Sequence, residues 1–275
     1  LPKEAPSLRA FDRSAVYLMD EQRFTHAADD TLGFETLPGA LQGGTALVFA
    51  KDVAFFHEIP LTDAEQESDR TRFEAALYPD GALDLDLTYT GVGAAAAQLR
   101  GMKDLDEQQL RNQLESIVGR IHPAAKLEEY HVNDLADLAV VPKVQMQCTI
   151  PGYAVRAGED ILMLKVPALF YTARQVGRPT RSLPLYWNHP VRETTSGTIA
   201  LPEGFRLYAG PDPVDFDADV AAYDAELRAG KRVLTYHDIF ERPVVEAMPA
   251  AYPDYKQAVE VRARIPKQQI ILMRD

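Results

Sequence analysis

Residues 181–209, which read RSLPLYWNHPVRETTSGTIALPEGFRLYA, decide the fold that the sequence predicts. In 191–196, Val, Glu and Thr alternate with Arg, Thr and Ser, which is the two-residue period of a strand. The run stays extended to Leu201. The next residues, Pro202-Glu203-Gly204, are typical of a tight turn, because proline presets φ and glycine takes a positive φ at little cost. Residues 205–208 alternate again, so the stretch predicts one β-hairpin.

Further short strands separated by turn signals flank this hairpin. Residues 82–90 show the pattern most clearly, because leucines and a tyrosine alternate with aspartates and a threonine. Such alternation is typical of an antiparallel sheet with one face in water. Many short strands at fairly even spacing indicate a sandwich. The sequence therefore predicts a mainly β fold, with an antiparallel β-sandwich domain over residues 66–275.

One or two helices are expected to interrupt this sheet. The first covers residues 94–100, and the second covers 104–118 with Asp104 as N-cap and Glu107 at the capping-box position. Leucine, isoleucine and valine side chains give the second helix one apolar stripe, which should face the core. The pattern of 218–228 fits either a strand or a helix.

The N-terminal part has a different pattern, with strands expected at 15–19, 45–49 and 53–59. Three strands in about sixty residues can bury little surface by themselves. We therefore expect residues 1–62 to be the end of a domain whose front lies upstream. The chain begins at Leu1 with neither an initiator Met nor a signal peptide, which favours a fragment or a processed chain.

Composition and charge exclude several classes of partner. The chain has 275 residues, 46% of them hydrophobic, which suffices for one large or two smaller soluble domains. Its net charge of −12 argues against binding to nucleic acid or to an anionic membrane surface. No run of about 18 apolar residues predicts a membrane span.

The run GVGAAA at 91–96 matches a dinucleotide-binding fingerprint with alanine in the third glycine position. Its context does not fit that fold. The preceding strand, 82–90, alternates Leu with Asp, unlike a parallel strand that is buried on both faces. No second parallel strand is predicted after the helix. A tight strand-to-helix turn is therefore favoured over a nucleotide site, and no cofactor is predicted.

Four acidic residues have the spacing of positions 1, 3, 5 and 12 of a calcium-binding loop: Asp215, Asp217, Asp219 and Glu226. The sixth position, Val220, would have to be glycine for the sharp turn of that loop. An acidic, solvated strand face is therefore favoured over a metal site.

Neither the histidines nor the cysteine form a pattern typical of catalysis. The six histidines are scattered, and no pair has the short helical spacing of a zinc site. Cys148 is the single cysteine and lies on the apolar side of the strand 143–150, so we expect a buried structural residue and not a nucleophile.

Several motifs resemble the bacterial transglutaminase-like superfamily. That family has a Phe-(Asn/Asp)-His motif with the catalytic histidine and a later motif with the aspartate, and two further motifs close its domain. The corresponding stretches here are FDR (11–13), FTHAA (24–28), FETLP (34–38) and LQGGTALV (41–48). The rest of the chain resembles the β-rich domain of unknown function that follows this core, through YPDG (78–81), GVGAAAAQLR (91–100) and the stretch 181–209.

This resemblance implies that residues 1–62 are the tail of an α+β, papain-like core and that 66–275 are the following β domain. The family position of the catalytic histidine holds Arg13, and that of the aspartate holds His26. Arginine stays protonated and cannot act as the base of a thiol–imidazole–carboxylate triad. The nucleophilic cysteine of the family would lie upstream of this chain.

The first functional hypothesis is therefore a non-catalytic binding or scaffold module of a degenerate transglutaminase-like protein. Its expected partner is the upstream transglutaminase-like segment or another protein chain. An alternative is the accessory half of a cysteine peptidase or acyltransferase whose nucleophile lies upstream. A third hypothesis is a carbohydrate- or surface-binding sandwich with Tyr186 and Trp187 as a stacking platform. The resemblance alone implies a periplasmic or extracellular location.

Overall fold

The structure is a computed structural model that describes residue 11, residues 13–26 and residues 28–274. Its fold is mainly β, as predicted. The three α-helices of the described residues are α1 (Ala94–Arg100), α2 (Glu107–Ile121) and α3 (Tyr252–Arg262). The strands are β1 (Val16–Leu18), β2 (Arg23–Thr25), β3 (Thr45–Ala50), β4 (Val53–Glu58), β5 (Ser68–Leu77), β6 (Leu83–Gly91), β7 (Lys126–Val132), β8 (Lys143–Ile150), β9 (Val155–Ala157), β10 (Ile161–Leu164), β11 (Leu185–Tyr186), β12 (Val191–Ala200), β13 (Phe205–Ala209), β14 (Val214–Phe216), β15 (Ala222–Ala229), β16 (Val233–Arg242), β17 (Glu246–Ala247) and β18 (Ile270–Arg274).

Two sheets enclose the main core. The larger has the order β14-β15-β16-β12-β5-β6-β8-β7 and the smaller β13-β18-β10-β9. Buried side chains from both sheets and from α2 and α3 belong to one continuous hydrophobic cluster. This arrangement fits the predicted sandwich, in an open form.

The larger sheet is antiparallel except at its centre, where β5 and β12 run parallel. Gly197 of β12 lies beside Phe73 of β5 in this register. A Cβ atom on residue 197 would lie 2.4 Å from the Phe73 ring, which is fully buried. Only glycine at position 197 leaves room for the Phe73 ring at this distance, so a larger residue there would displace the ring or separate β12 from β5.

The predicted hairpin at 191–208 is wrong in its pairing. The turn is present, with Gly204 at a φ of 76°, but β13 does not pair with β12. Both edges of β12 are already occupied, by β5 on one side and β16 on the other. β13 therefore crosses to the smaller sheet and pairs with β18. The stretch links the two sheets of the sandwich instead of forming one hairpin.

Helix α2 begins later than predicted. Asp106, not Asp104, is the N-cap, and its carboxylate accepts the Gln109 N–H at 2.8 Å. The Gln109 side chain in turn accepts the Asp106 N–H at 3.1 Å, which completes the capping box without Glu107. Asp104 and Asp106 are both acceptable N-cap residues by sequence, and the helix begins after Asp106. The ambiguous stretch 218–228 mostly forms strand β15.

The described part of the N-terminal segment, residues 13–61, contains two separate two-stranded sheets, β1-β2 and β3-β4. The strands expected near 15–19, 45–49 and 53–59 are present, and β2 is an additional one. A small cluster of buried side chains holds the two sheets together: Phe24, Leu41, Val48 and Ile59. The extent of the two expected domains, 1–62 and 66–275, stays a prediction.

Candidate functional site

An open groove of about 920 Å³ lies in the N-terminal segment. Strand β1 and the residues before it border one side, and β3 borders the other. The lining includes every residue of 13–17 and of 44–51. Consecutive side chains of a strand point to opposite faces of the sheet. Because consecutive residues of both strands line the groove, the edges of the strands border it, and not one face of a sheet.

Both bordering edges are unpaired among the described residues, since β1 pairs with β2 alone and β3 with β4 alone. The Ile59 N–H donates to the Gly44 carbonyl at 2.8 Å at the start of the β3–β4 ladder. Hydrogen-bonded and non-bonded pairs alternate along an antiparallel ladder, and the register here continues without a bulge. The backbone N–H and C=O groups of Thr45, Leu47 and Phe49 therefore point away from β4, to the edge that borders the groove.

The described side chains that line the groove are mainly apolar, and two of them carry a positive charge. Its side chains are mostly aliphatic or aromatic, and the charged residues among them are Arg13 and Lys51. Among the described residues that line it none is Asp or Glu, although the whole chain has a net charge of −12. The outer face of β3-β4 is also apolar, with Phe49 72% and Phe56 60% exposed. This part of the molecule thus combines free strand edges with uncovered apolar surface.

The two degenerate triad positions lie in the same segment but differ in their surroundings. Arg13 is exposed and lines the groove. His26 is partly buried and does not line it, and its Nδ1 atom is buried without a hydrogen-bond partner in the described structure. Asp12 and Ala27 of the corresponding motifs lie outside the described residues.

The GVGAAA run forms a tight strand-to-helix turn, and its helix start holds a carboxylate of the protein itself. The Ala94 N–H donates to Glu67 Oε2 at 2.7 Å, and the Gln42 amide donates to Glu67 Oε1 at 2.6 Å. Gly93 has a φ of 63°, and a Cβ atom there would lie 2.2 Å from Glu67 Oε2. The run therefore binds the 2%-exposed Glu67 where a nucleotide fingerprint would hold a phosphate.

Glu67 also joins the groove segment to the rest of the molecule. Gln42 belongs to the segment, and its side-chain oxygen accepts the Thr62 N–H at 3.2 Å. Nearby, the guanidinium of Arg100 donates to the carbonyls of Thr31 at 3.3 Å and of Val140 at 2.8 Å. We call the contacts of Glu67 and Arg100 the junction. They fix the groove relative to the larger sheet.

The other residues singled out in the sequence do not form a site. Asp215 and Glu226 lie on solvent-accessible strands, and Glu226 pairs with Arg228 at 2.7 Å. No group of three or more His, Cys, Asp or Glu side chains in the described ranges is placed to hold a metal ion. Trp187 packs on Tyr255 at 4.8 Å, with the Arg242 guanidinium 4.2 Å from its ring. Its ring is thus engaged within the protein, and it does not form a stacking platform with the exposed Tyr186.

A buried polar cluster escaped the sequence analysis. Asp238 is fully buried, and its carboxylate accepts hydroxyl hydrogen bonds from Tyr236 at 2.6 Å and from Tyr171 and Tyr223 at 3.1 Å each. It also accepts the Thr195 N–H at 3.2 Å. Burial raises the pKa of Asp238, which the hydroxyl donors oppose. Every partner is a protein group, so the cluster stabilises the core and offers no open site.

Cys148 is 3% exposed, and burial raises the pKa of its thiol to about 12. We expect the folded chain to resist modification by a soluble disulfide reagent at pH 8, because the thiolate is the reactive species. Unfolding in guanidinium should release one reactive thiol per chain. Fast labelling of the folded chain would contradict this, as would turnover of a glutamine or peptide substrate that Cys148→Ala abolishes.

Comparison with known proteins finds a family similarity over part of the chain. The family model of a domain of unknown function with a solved structure (DUF3858) matches residues 161–272, which include the stretch 181–209. None of the curated proteins compared with the sequence matches it. A crystal structure of a candidate protease from Parabacteroides distasonis ATCC 8503 is 14% identical, with a TM-score of 0.37. The similarity covers 42% of this chain and 24% of the protease chain, so this chain spans about a quarter of that protein's length.

No helix of the described residues is long and apolar enough to cross a membrane.

Proposed function

We propose that this chain is a non-catalytic binding module whose groove receives an extended polypeptide as an added strand. One observation carries the proposal: two strand edges that have no partner strand among the described residues border the same groove. An unpaired edge presents a row of free N–H and C=O groups, which is the template for strand addition. One inserted strand would pair with both β1 and β3 and would join two marginal hairpins into one sheet.

The chemistry of the groove indicates what this strand should contain. Apolar side chains would cover Tyr17, Leu47 and Phe49, and acidic ones would complement Arg13 and Lys51. The occupant that we propose is therefore an apolar segment with one or two acidic residues. It belongs either to a further part of the same protein or to a partner chain.

The resemblance to transglutaminase-like proteins extends this proposal. In it, residues 1–62 are the remnant of a catalytic core, and the old catalytic region serves as a contact surface. Arg13 lies at a position of the lost triad and lines the groove, which supports that reading. The division from a β domain at 66–275 and the periplasmic or extracellular location belong to the same proposal and rest on the resemblance.

The test is selection from a displayed library of random twelve-residue peptides with the folded chain. We expect enrichment of segments that alternate apolar residues and carry acidic ones. Leu47→Pro should weaken their binding about tenfold or more, because it removes a backbone donor that faces the groove. Phe56→Pro is the matched control, since it removes a donor from the opposite edge of the same hairpin.

Three results would contradict the proposal. One is that no peptide is enriched, and another is that Leu47→Pro and Phe56→Pro weaken binding equally. The third is a dimer of the free chain that Leu47→Pro dissociates, since a second copy would then be the occupant. Circular dichroism of each variant checks that the fold is retained.

A further inference from the structure

A second cavity of about 320 Å³ lies between the end of α2, the loop 165–170 and the loop before β18. Its basic residues are Arg120, His122 and Lys165. None of the described residues that line it is Asp or Glu. The chain has a net charge of −12, so a cavity lined by three basic side chains differs in charge from the protein as a whole.

The guanidinium of Arg120 is oriented by an aromatic ring, and its N–H donors are available to a ligand. Its guanidinium lies 4.4 Å from the centre of the Phe170 ring, which orients the planar group through a cation–π contact. No carboxylate of the described residues pairs with Arg120 or with Lys165. A guanidinium stacked on a ring still has its N–H edge for a bidentate contact to an oxyanion.

His122 adds a third donor. Its Nδ1 atom accepts the Ala124 N–H at 3.1 Å. The proton of the neutral ring is therefore on Nε2, which leaves one N–H for a ligand. The opposite wall is fixed as well, since the Tyr153 hydroxyl donates to the Lys165 carbonyl at 3.0 Å.

The loop that carries Lys165 and Phe170 has a strained backbone. Ala168 has a φ of 61°, which is uncommon for any residue with a Cβ atom. Ala168 is buried and lines the cavity. Such backbone strain often accompanies binding sites, where it holds side chains in a fixed position.

From these four observations we infer that this cavity binds a small organic oxyanion, namely one carboxylate or phosphate group on a short apolar body. The anion contacts Arg120, His122 and Lys165. The apolar body lies against Leu164, Leu169 and their neighbours. A volume of about 320 Å³ is at the lower end of ligand pockets, which limits the ligand to about one ring or a short chain. This site is independent of the groove.

The experiment titrates the folded chain with benzoate, phenyl phosphate and neutral benzamide, followed by calorimetry and amide chemical shifts. At least one of the two anions should bind saturably with shifts at 120–122 and 165–170, and the stronger one identifies the anionic group. Benzamide has the same apolar body and should bind about tenfold more weakly or not at all.

Variants assign the contacts. Arg120→Gln and Lys165→Gln should each weaken anion binding about tenfold, the value of a charged hydrogen bond. Both side chains are exposed, so the fold should be retained. Lys231→Gln removes the same charge from a residue outside the cavity and should change nothing.

Any one of three results would overturn the inference. The first is that neither anion saturates below about 10 mM. The second is that benzamide binds as well as the stronger of the two anions, and the third is that Lys231→Gln weakens anion binding as much as Arg120→Gln does.

Discussion

Asp238→Ala should lower the free energy of unfolding by about 3 to 5 kcal/mol, because the buried hydroxyls of Tyr223 and Tyr236 lose their acceptor and the Tyr171 hydroxyl loses one of its two partners. The carboxylate joins β12, β15, β16 and the segment around Tyr171, so its loss loosens the centre of the larger sheet. Urea unfolding at pH 7, followed by fluorescence, measures the effect. Asp238→Asn keeps one acceptor oxygen and should lose less.

Asp224→Ala is the matched control for this prediction. Asp224 lies on the neighbouring strand β15 but is exposed, so its removal should change stability by about 0.5 kcal/mol or less. A loss below about 1 kcal/mol for Asp238→Ala would show that the tyrosine hydroxyls find other acceptors, against this account.

Glu67→Ala should have the second-largest effect, a loss of about 2 to 4 kcal/mol, because the Ala94 N–H and the Gln42 amide lose their acceptor in a buried place. The effect should be uneven along the chain. Glu67 joins residues 13–61 to the larger sheet. In Glu67→Ala, limited proteolysis should therefore cut residues 13–61 faster than it cuts the rest of the chain. Glu67→Gln keeps one acceptor and should lose less.

The control for the junction is Glu65→Ala in the same short turn. Glu65 is 77% exposed at its side chain and lies 3.9 Å from Arg192, so this surface pair should contribute about 0 to 1 kcal/mol. Equal proteolysis of Glu65→Ala and Glu67→Ala would contradict the role of Glu67.

Local patterns in the sequence predicted most strands but not their partners. The period of 191–200 is that of a strand, and the turn at Gly204 is real. Which strand lies beside β12, however, depends on β5 and β16, which are far away in sequence. A turn signal cannot show whether the chain returns to the same sheet. The predicted helix start was wrong for a simpler reason, because Asp104 and Asp106 are equally suitable N-cap residues.

The polar contacts were harder to predict. The alternation of Leu234, Tyr236, Asp238 and Phe240 places Asp238 on the inner face of β16, and this signal could have been found. Its acceptor role could not, since Tyr171 comes from a distant loop. Likewise, the GVGAAA run predicted a tight turn at a helix start, but not that Glu67 would supply the anion.

Backbone hydrogen exchange of β3, residue by residue, tests the proposed function most directly. In the free chain, the amides of Ala46 and Val48 should exchange slowly because they pair with β4, and those of Thr45, Leu47 and Phe49 should exchange fast. Saturation with a selected peptide should slow this second set and leave the first unchanged. Protection of Thr45, Leu47 and Phe49 in the free monomer, or fast exchange of these amides after saturation, would contradict strand addition at the groove.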